Sequence, residues 1–190
     1  MNEPKKLIDT PSQTAGPFLH IGCAPRITGI NIFKIELGLT PFQDISDNEA
    51  INIKGKIYDG NGEPIIDAMI ETWQCDANGK YSSNQGFARI VTDFKTGEYQ
   101  LKTIRPGNKI NTDESLSASY ITFWIVARGM NRPLITRMYF LENDLKNDLM
   151  FQSLNIENRL KTLIPYTEDE KNFVFDIHLQ GKKETIFFEF

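Results

Sequence analysis

The sequence predicts an all-β fold, an antiparallel β-sandwich with one or two short helices and an extended N-terminal arm. Short apolar segments alternate with polar residues, turn sequences separate them, and helical spacing occurs in one interval only. The length of 190 residues suits a single domain. A chain of this length buries enough apolar surface to fold without disulfides or structural metals.

The first fifty residues predict an irregular arm, because each proline disfavours helix at the residue before it. The prolines are Pro4, Pro11, Pro17 and Pro25. The segment is nevertheless too apolar for a free tail, since it contains Phe18, Leu19, Ile21, Ile27, Ile30, Ile32 and Phe33. We therefore predict an arm over residues 1–50, packed on the domain or on a partner, and a β-sandwich over residues 51–190.

Alternation and turn residues together predict the strands of the sandwich. They are residues 51–57, 65–74, 87–92, 99–104, 119–128, 134–140, 173–179 and 186–190. The sequences DGNG (59–62), DANG (76–79) and KTG (95–97) predict turns between them. Helical spacing predicts a helix over 156–164, ended by Pro165, and an earlier helical turn near Leu145 and Leu149.

Charge and composition exclude several classes of protein. The formal net charge of −4 disfavours nucleic acid or an anionic membrane as a partner, because both favour basic surfaces. No apolar run approaches the ~20 residues of a membrane span, and the N-terminus lacks the apolar segment of a signal peptide. Cys23 and Cys75 are too few for a disulfide framework and predict reduced thiols. These features predict a cytoplasmic protein.

The residue types alone give few candidates for chemistry. The sequence has no phosphate loop, CxxC pair, GxSxG or HExxH motif. We interpret His20 and His178 as surface or hydrogen-bonded structural residues. Arg128 ends an apolar strand, on the same face as Tyr120 and Thr122. It either pairs with an internal carboxylate, which the residues alone favour, or binds a substrate carboxylate in bidentate fashion.

Several strings, taken in order, resemble the intradiol ring-cleaving dioxygenases. They are TPSQTAGPFLHIG (10–22), KIYDGNGEPIIDAMIETWQCDANGKY (56–81), TGEYQLKTIRPG (96–107), ARG (127–129), TRMYF (136–140) and FVFDIHLQGKKETIFFEF (173–190). They cover nearly the whole chain. The arm, the ARG string and the C-terminal string resemble the alpha-subunit branch, that of the protocatechuate 3,4-dioxygenases.

The resemblance implies a β-sandwich that works with an iron-bearing beta subunit in a higher alpha–beta oligomer. In this family the beta chain holds Fe(III) with two tyrosines and two histidines. The resemblance implies that the assembly opens protocatechuate with O2 to give 3-carboxy-cis,cis-muconate, in the catabolism of aromatic compounds. It implies no nucleic-acid or membrane partner.

The iron-ligand positions of the catalytic chain do not carry ligands here. Its two histidines are two residues apart, so that both point to the same side of one strand. Tyr120 and Thr122 match those positions, and Lys109 follows the turn where a metal tyrosine stands. In the catalytic chain the other metal tyrosine stands on a longer loop. Here only residues 82–86 separate Tyr81 from the next strand, so that loop is missing. We therefore predict no metal ligand and no catalytic residue in this chain alone.

The resemblance assigns Thr14, Gly16, Pro17, Tyr81 and Arg128 to the partner's active site. The arm would border the iron pocket, and Tyr81 and Arg128 would hold the carboxylate of protocatechuate. The alternative for these two residues is packing and a structural ion pair. Phe18 departs from the family pattern, which often has tyrosine there, so this position offers no hydroxyl.

Two other functions remain open from the sequence. The chain could be a self-contained intradiol enzyme with unusual ligands, drawn from Tyr81, Tyr99 and Tyr120. It could instead be a transthyretin-like binding or structural module without catalytic activity.

Overall fold

The computed structural model describes residues 8–34, 38–110, 115–140, 143–154, 159–167 and 169–189. The strands in these residues are β1 (Ala50–Tyr58), β2 (Met69–Trp73), β3 (Phe87–Val91), β4 (Glu98–Ile104), β5 (Lys109–Ile110), β6 (Leu116–Ser117), β7 (Tyr120–Val126), β8 (Leu134–Tyr139), β9 (Tyr166–Thr167), β10 (Asn172–Val174) and β11 (Ile177–His178). The helices are α1 (Phe18–Cys23) and α2 (Leu149–Ser153), with 3₁₀ turns at Pro25–Thr28, Asn143–Asn147 and Leu160–Leu163. None of the described helices is long and apolar enough to cross a membrane.

Two sheets form the predicted β-sandwich, which confirms the fold class. The first sheet has the order β11-β1-β10-β9, with β4 also paired to β1, and the second has the order β3-β2-β7-β8. β5 and β6 form a separate small hairpin. The second sheet is antiparallel throughout, whereas β1 pairs in parallel with β10 and β11. This parallel pairing corrects the expectation of a wholly antiparallel sandwich, because alternation along one strand says nothing about the direction of its neighbour.

The main core lies between the sheets, and the alternation of β7 shows why. Ile121, Phe123 and Ile125 point inward and are fully buried, while the residues between them are half-buried on the outer face. Where β1 passes the C-terminal segment, Gly55 allows close approach. A Cβ at Gly55 would lie 2.1 Å from the carbonyl oxygen of Phe175.

A second cluster covers part of the outer face of the second sheet. Its buried members are Ala118, Tyr139, Leu145, Phe151, Leu163, Ile186 and Phe188. Asp148 joins α2 to this sheet, because its carboxylate accepts hydrogen bonds from the backbone N–H groups of Phe151 and Ala118, both at 2.8 Å. The carboxylate therefore caps α2 and anchors it to the short connection between β6 and β7.

Several local predictions are confirmed and others are wrong. The three predicted turns form, and in each an aspartate accepts backbone N–H bonds from the turn: Asp59, Asp76 and Asp93. The strand predicted over 65–74 begins only at Met69, and the one predicted over 186–190 is a single bridge from Phe188 to Ile135. Residues 155–158 and 190 lie outside the described residues, so only the end of the predicted 156–164 helix is described, as a 3₁₀ turn.

The arm contains more regular structure than its prolines indicate. α1 and the first 3₁₀ turn follow Pro17 and Pro25, which stand at helix starts, where proline's missing N–H needs no partner. The arm contacts the second sheet through Arg89, whose guanidinium donates to the carbonyl of Cys23 at 3.2 Å and pairs with Glu71 at 2.6 Å. The backbone N–H of Arg89 also donates to the carbonyl of Gly38 at 2.7 Å.

Candidate functional site

The positions that match the iron ligands meet at the start of β7. Tyr120 and Thr122 both lie on the outer face of the second sheet, as the two-residue spacing predicts. The hydroxyl of Tyr81 donates to the hydroxyl of Tyr120 at 3.3 Å. The ring of Tyr81 also stacks with that of Trp73, with centroids 6.1 Å apart. Tyr81 is therefore part of this site, although it comes from a loop between β2 and β3.

Two cations complete the site. The Nζ atom of Lys109 lies 5.4 Å from the centroid of the Tyr81 ring, and the Cζ atom of Arg137 lies 4.2 Å from that of Tyr120. Arg137 also donates a hydrogen bond to the hydroxyl of Tyr139 at 3.3 Å. These contacts define an aromatic–cation cluster, whose members are Trp73, Tyr81, Lys109, Tyr120, Arg137 and Tyr139.

Burial raises the pKa of two phenols of the cluster, those of Tyr81 and Tyr139. Burial raises the pKa of Tyr81 well above its ordinary value, and the hydrogen bond to Tyr120 adds to the rise. Burial also raises the pKa of Tyr139 to about 12, against the lowering effect of its hydrogen bond from Arg137.

The residues of the aromatic–cation cluster do not fit a ferric ion. The aromatic–cation cluster contains no histidine or carboxylate and brings two positive charges to the ligand positions, where they oppose another cation. Among the described residues, no group of three or more His, Cys, Asp or Glu side chains could hold a metal elsewhere.

The two histidines lie apart from the cluster. His20 is buried in the arm, with its ring 5.7 Å from that of Phe94. His178 stacks on Tyr58 of the first sheet, with ring centroids 4.7 Å apart. His178 is thus half-buried, although its position in the alternation predicted a solvent-facing side chain. Burial lowers its pKa, with a further contribution from the nearby Lys183.

The alternative ligand set of three tyrosines is not brought together. Tyr99 lies in the main core, fully buried, and donates a hydrogen bond to the backbone carbonyl of Phe175. Tyr81 and Tyr120 lie on the outer face of the other sheet. The structure therefore disfavours a ferric site built from Tyr81, Tyr99 and Tyr120.

The arm residues form a second group, together with Arg128. The hydroxyl oxygen of Thr14 accepts a hydrogen bond from the backbone N–H of Gly129 at 2.7 Å. Gly129 has a φ of 89°, which favours glycine at this turn. The Arg128 side chain is 76% exposed and its Nε lies 3.3 Å from the carboxylate of Asp67. Gly16 and Pro17 follow, exposed, directly before α1.

The two groups lie at opposite ends of β7. Tyr120 is the first residue of the strand, while Arg128 lies beyond its last residue, Val126. The six steps of the strand span roughly 20 Å at ~3.3 Å per residue. Tyr81 touches Tyr120 at one end, so Tyr81 and Arg128 of one chain cannot hold the same carboxylate.

Sequence reasoning missed Arg137, Trp73 and Tyr139 as members of the site. Arg137 lies in the TRMYF string, but its role depends on the register of β8, in which it pairs directly with Thr122. The even spacing of Arg137 and Tyr139 is the signal that could have placed both on the same outer face.

Comparison with known proteins places the chain in a family. A family model described as a dioxygenase matches residues 38–181. The alpha chain of protocatechuate 3,4-dioxygenase from Pseudomonas putida is 36% identical, over 97% of this chain and 98% of its own length. The alpha chain of the same enzyme from Burkholderia cepacia is 30% identical, over 96% of this chain and 98% of its own length.

More distant relatives are consistent with this placement. The beta chain of protocatechuate 3,4-dioxygenase from Burkholderia cepacia is 27% identical, over 72% of this chain and 67% of its own length. The crystal structure of catechol 1,2-dioxygenase from Pseudomonas arvilla C-1 superposes with a TM-score of 0.59 at 19% identity. That match covers 73% of this chain and only 54% of the solved chain, and it supports the fold alone. The chain therefore belongs to the intradiol dioxygenase family, as a member of its alpha-chain branch.

Proposed function

We propose that this chain is the non-iron-binding alpha subunit of a protocatechuate 3,4-dioxygenase. It completes the active site of an iron-bearing beta subunit, and the assembly cleaves protocatechuate with O2 to 3-carboxy-cis,cis-muconate. One observation carries the proposal: in this chain, which is similar to alpha chains, the iron-ligand positions hold an aromatic–cation cluster that does not suit Fe(III). Iron and the activation that it supplies then come from the partner, and this chain contributes binding surface.

The arm is the proposed contact with the partner. Its exposed apolar side chains, among the described residues, are Ile8, Phe18, Ile21, Ile27, Ile30, Ile32, Phe33 and Leu39. A concentration of exposed apolar side chains is typical of a protein–protein interface. Residues 1–50 are therefore proposed as the arm that packs against the beta subunit, and residues 51–190 as the sandwich that carries it.

Thr14, Gly16, Pro17 and Arg128 are proposed to face the partner's pocket together. The Thr14–Gly129 hydrogen bond joins the arm to the turn that carries Arg128, so the two lie side by side. Arg128 is exposed and makes one long ion pair, which leaves most of its five donors for a substrate carboxylate. Tyr81 lies at the other end of β7 and would reach substrate only if a partner pocket lay there.

The partner and the compartment remain parts of the proposal. The similarity to both alpha and beta chains supports an alpha–beta heteromer. Cys23 and Cys75 are both free thiols, which suits the cytoplasm.

The test is to produce the full chain alone and together with its beta chain. Bound iron and protocatechuate-dependent oxygen uptake are measured for both preparations. We expect neither in the lone chain, and both in the co-produced complex. Ring cleavage by the lone chain, with iron bound in stoichiometric amount, would overturn the proposal. Activity of the beta chain alone equal to that of the complex would also contradict it.

A further inference from the structure

Arg137 lies beside both of the positions that carry histidines in the catalytic chain. It pairs directly with Thr122 across β7 and β8, and Tyr120 is its diagonal neighbour on the same face. The guanidinium carbon lies 4.2 Å from the centroid of the Tyr120 ring. Side chains that reached from positions 120 and 122 toward one metal would therefore have this guanidinium as a close neighbour.

Several contacts hold the Arg137 guanidinium in this position. It donates to the hydroxyl of Tyr139 at 3.3 Å and lies 5.4 Å from the centroid of the Phe188 ring. Tyr139 is fully buried, and both Tyr139 and Phe188 belong to the second cluster of buried residues. A guanidinium stays charged at any pH that proteins withstand, so this position carries a permanent positive charge.

We propose that the guanidinium of Arg137 takes the place of the ferric ion in this chain and excludes it. The missing ligands are then only one of two reasons that this chain carries no iron. The second reason is a fixed cation at Arg137, with Lys109 close to the Tyr81 ring, and these positive charges repel a trivalent ion. Restoring the donor atoms alone would not restore binding.

This inference explains how two similar chains can assemble without competing for the metal. A site with partial ligands would bind iron weakly and remove it from the partner, whereas a site filled by arginine binds none. The inference concerns the lone chain and does not depend on the proposed partnership. Its test is therefore independent of any assay of ring cleavage.

The experiment compares two variants of the full chain. The first combines Lys109→Tyr, Tyr120→His and Thr122→His, which places two histidines and one new tyrosine in the cluster beside the hydroxyl of the native Tyr81. The second adds Arg137→Gln. Each is titrated with ferric citrate, and bound iron is measured after gel filtration, together with the visible tyrosinate-to-iron absorption. We expect the second variant to approach one iron per chain and to bind iron at least ~10-fold more tightly than the first.

A matched control adds Lys102→Gln to the first variant, which removes one positive charge from the exposed surface of the first sheet. We expect that change not to restore iron binding. Equal affinity of the two variants would overturn the inference, and so would a second variant that binds no more iron than the first. If circular dichroism shows that the glutamine variant is unfolded, Arg137→Met replaces it under the same criteria, because methionine keeps an apolar stem against the rings.

Discussion

Arg128 and Arg137 show at the residue scale that the same side chain has different roles when it is exposed to solvent and when it is enclosed by other side chains. Arg128 is 76% exposed at the end of a strand and has one long contact with Asp67. Arg137 lies among aromatic rings and a buried hydroxyl. An exposed guanidinium keeps its fork free for a planar carboxylate, while an enclosed one acts as a fixed charge.

We expect Arg128→Ala in the assembled enzyme to raise KM for protocatechuate roughly 10-fold or more. A charged hydrogen bond contributes ~1.5–3 kcal/mol, which corresponds to that range. Steady-state oxygen-uptake kinetics measure it, with Arg128→Lys as the control that keeps the charge but loses the fork. An unchanged KM with a lower melting temperature would assign Arg128 to the ion pair with Asp67.

Tyr139 gives a pH dependence at the same scale. Its folded pKa of about 12 exceeds the ordinary value of 10.0, so the folded state retains a proton that the unfolded state loses. The contribution of Tyr139 to the free energy of unfolding should therefore be fully present below pH ~10. It should be lost as the pH rises toward 12, which lowers the free energy of unfolding by ~2–3 kcal/mol. Urea unfolding between pH 9 and 12 measures the loss. Tyr139→Phe should lessen it, and an identical profile in that variant would contradict the assignment.

At the scale of single elements, alternation was a reliable guide along β7, although it predicted the wrong exposure for His178. The spacing of Tyr120 and Thr122 predicted that both share one face of the strand, and in the structure this is the outer face. What lies beside them was not predictable, because the position of Arg137 depends on the register between β7 and β8. Likewise, the sequence did not predict that Tyr81 and Arg128 lie far apart, because this depends on the contact between Tyr81 and Tyr120 at the start of β7.

Helix α2 owes its position to one carboxylate. Asp148→Ala removes the helix cap and leaves the buried N–H of Ala118 without an acceptor, so we expect a loss of about 2–4 kcal/mol. Asp148→Asn is the control, since its amide oxygen can still accept one of the two bonds. Urea denaturation followed by circular dichroism measures both variants. A loss below ~1 kcal/mol for alanine would show that α2 is held by its apolar contacts alone.

The whole molecule combines a closed sandwich core with an apolar arm on its surface. The core needs no partner, because both sheets bury their inner faces against each other. The arm, in contrast, leaves Ile32 66% and Phe33 57% exposed. Stability of the fold and assembly with a partner should therefore respond to different mutations.

We expect Ile32→Ser with Phe33→Ser to weaken assembly with the beta chain while the melting temperature of the lone chain changes little. Loss of two buried apolar contacts at an interface is worth ~2–4 kcal/mol, which is roughly a 30-fold to 1,000-fold weaker complex. Size-exclusion chromatography over a concentration series measures the effect. Tyr166→Ser, which removes an exposed aromatic outside the arm, is the control. Equal weakening by that control would remove the arm from the interface.

The parallel pairing of β1 with β10 constrains how the polypeptide reaches its native state after synthesis. Asn52 pairs with Asn172 across the sheet. β1 therefore cannot pair with β10 until the ribosome has synthesised more than a hundred further residues. Such distant pairings slow folding, since a long loop must close before they form. Until then one edge of β1 lies open to other strands, and chaperones or rapid completion of translation would protect it from aggregation.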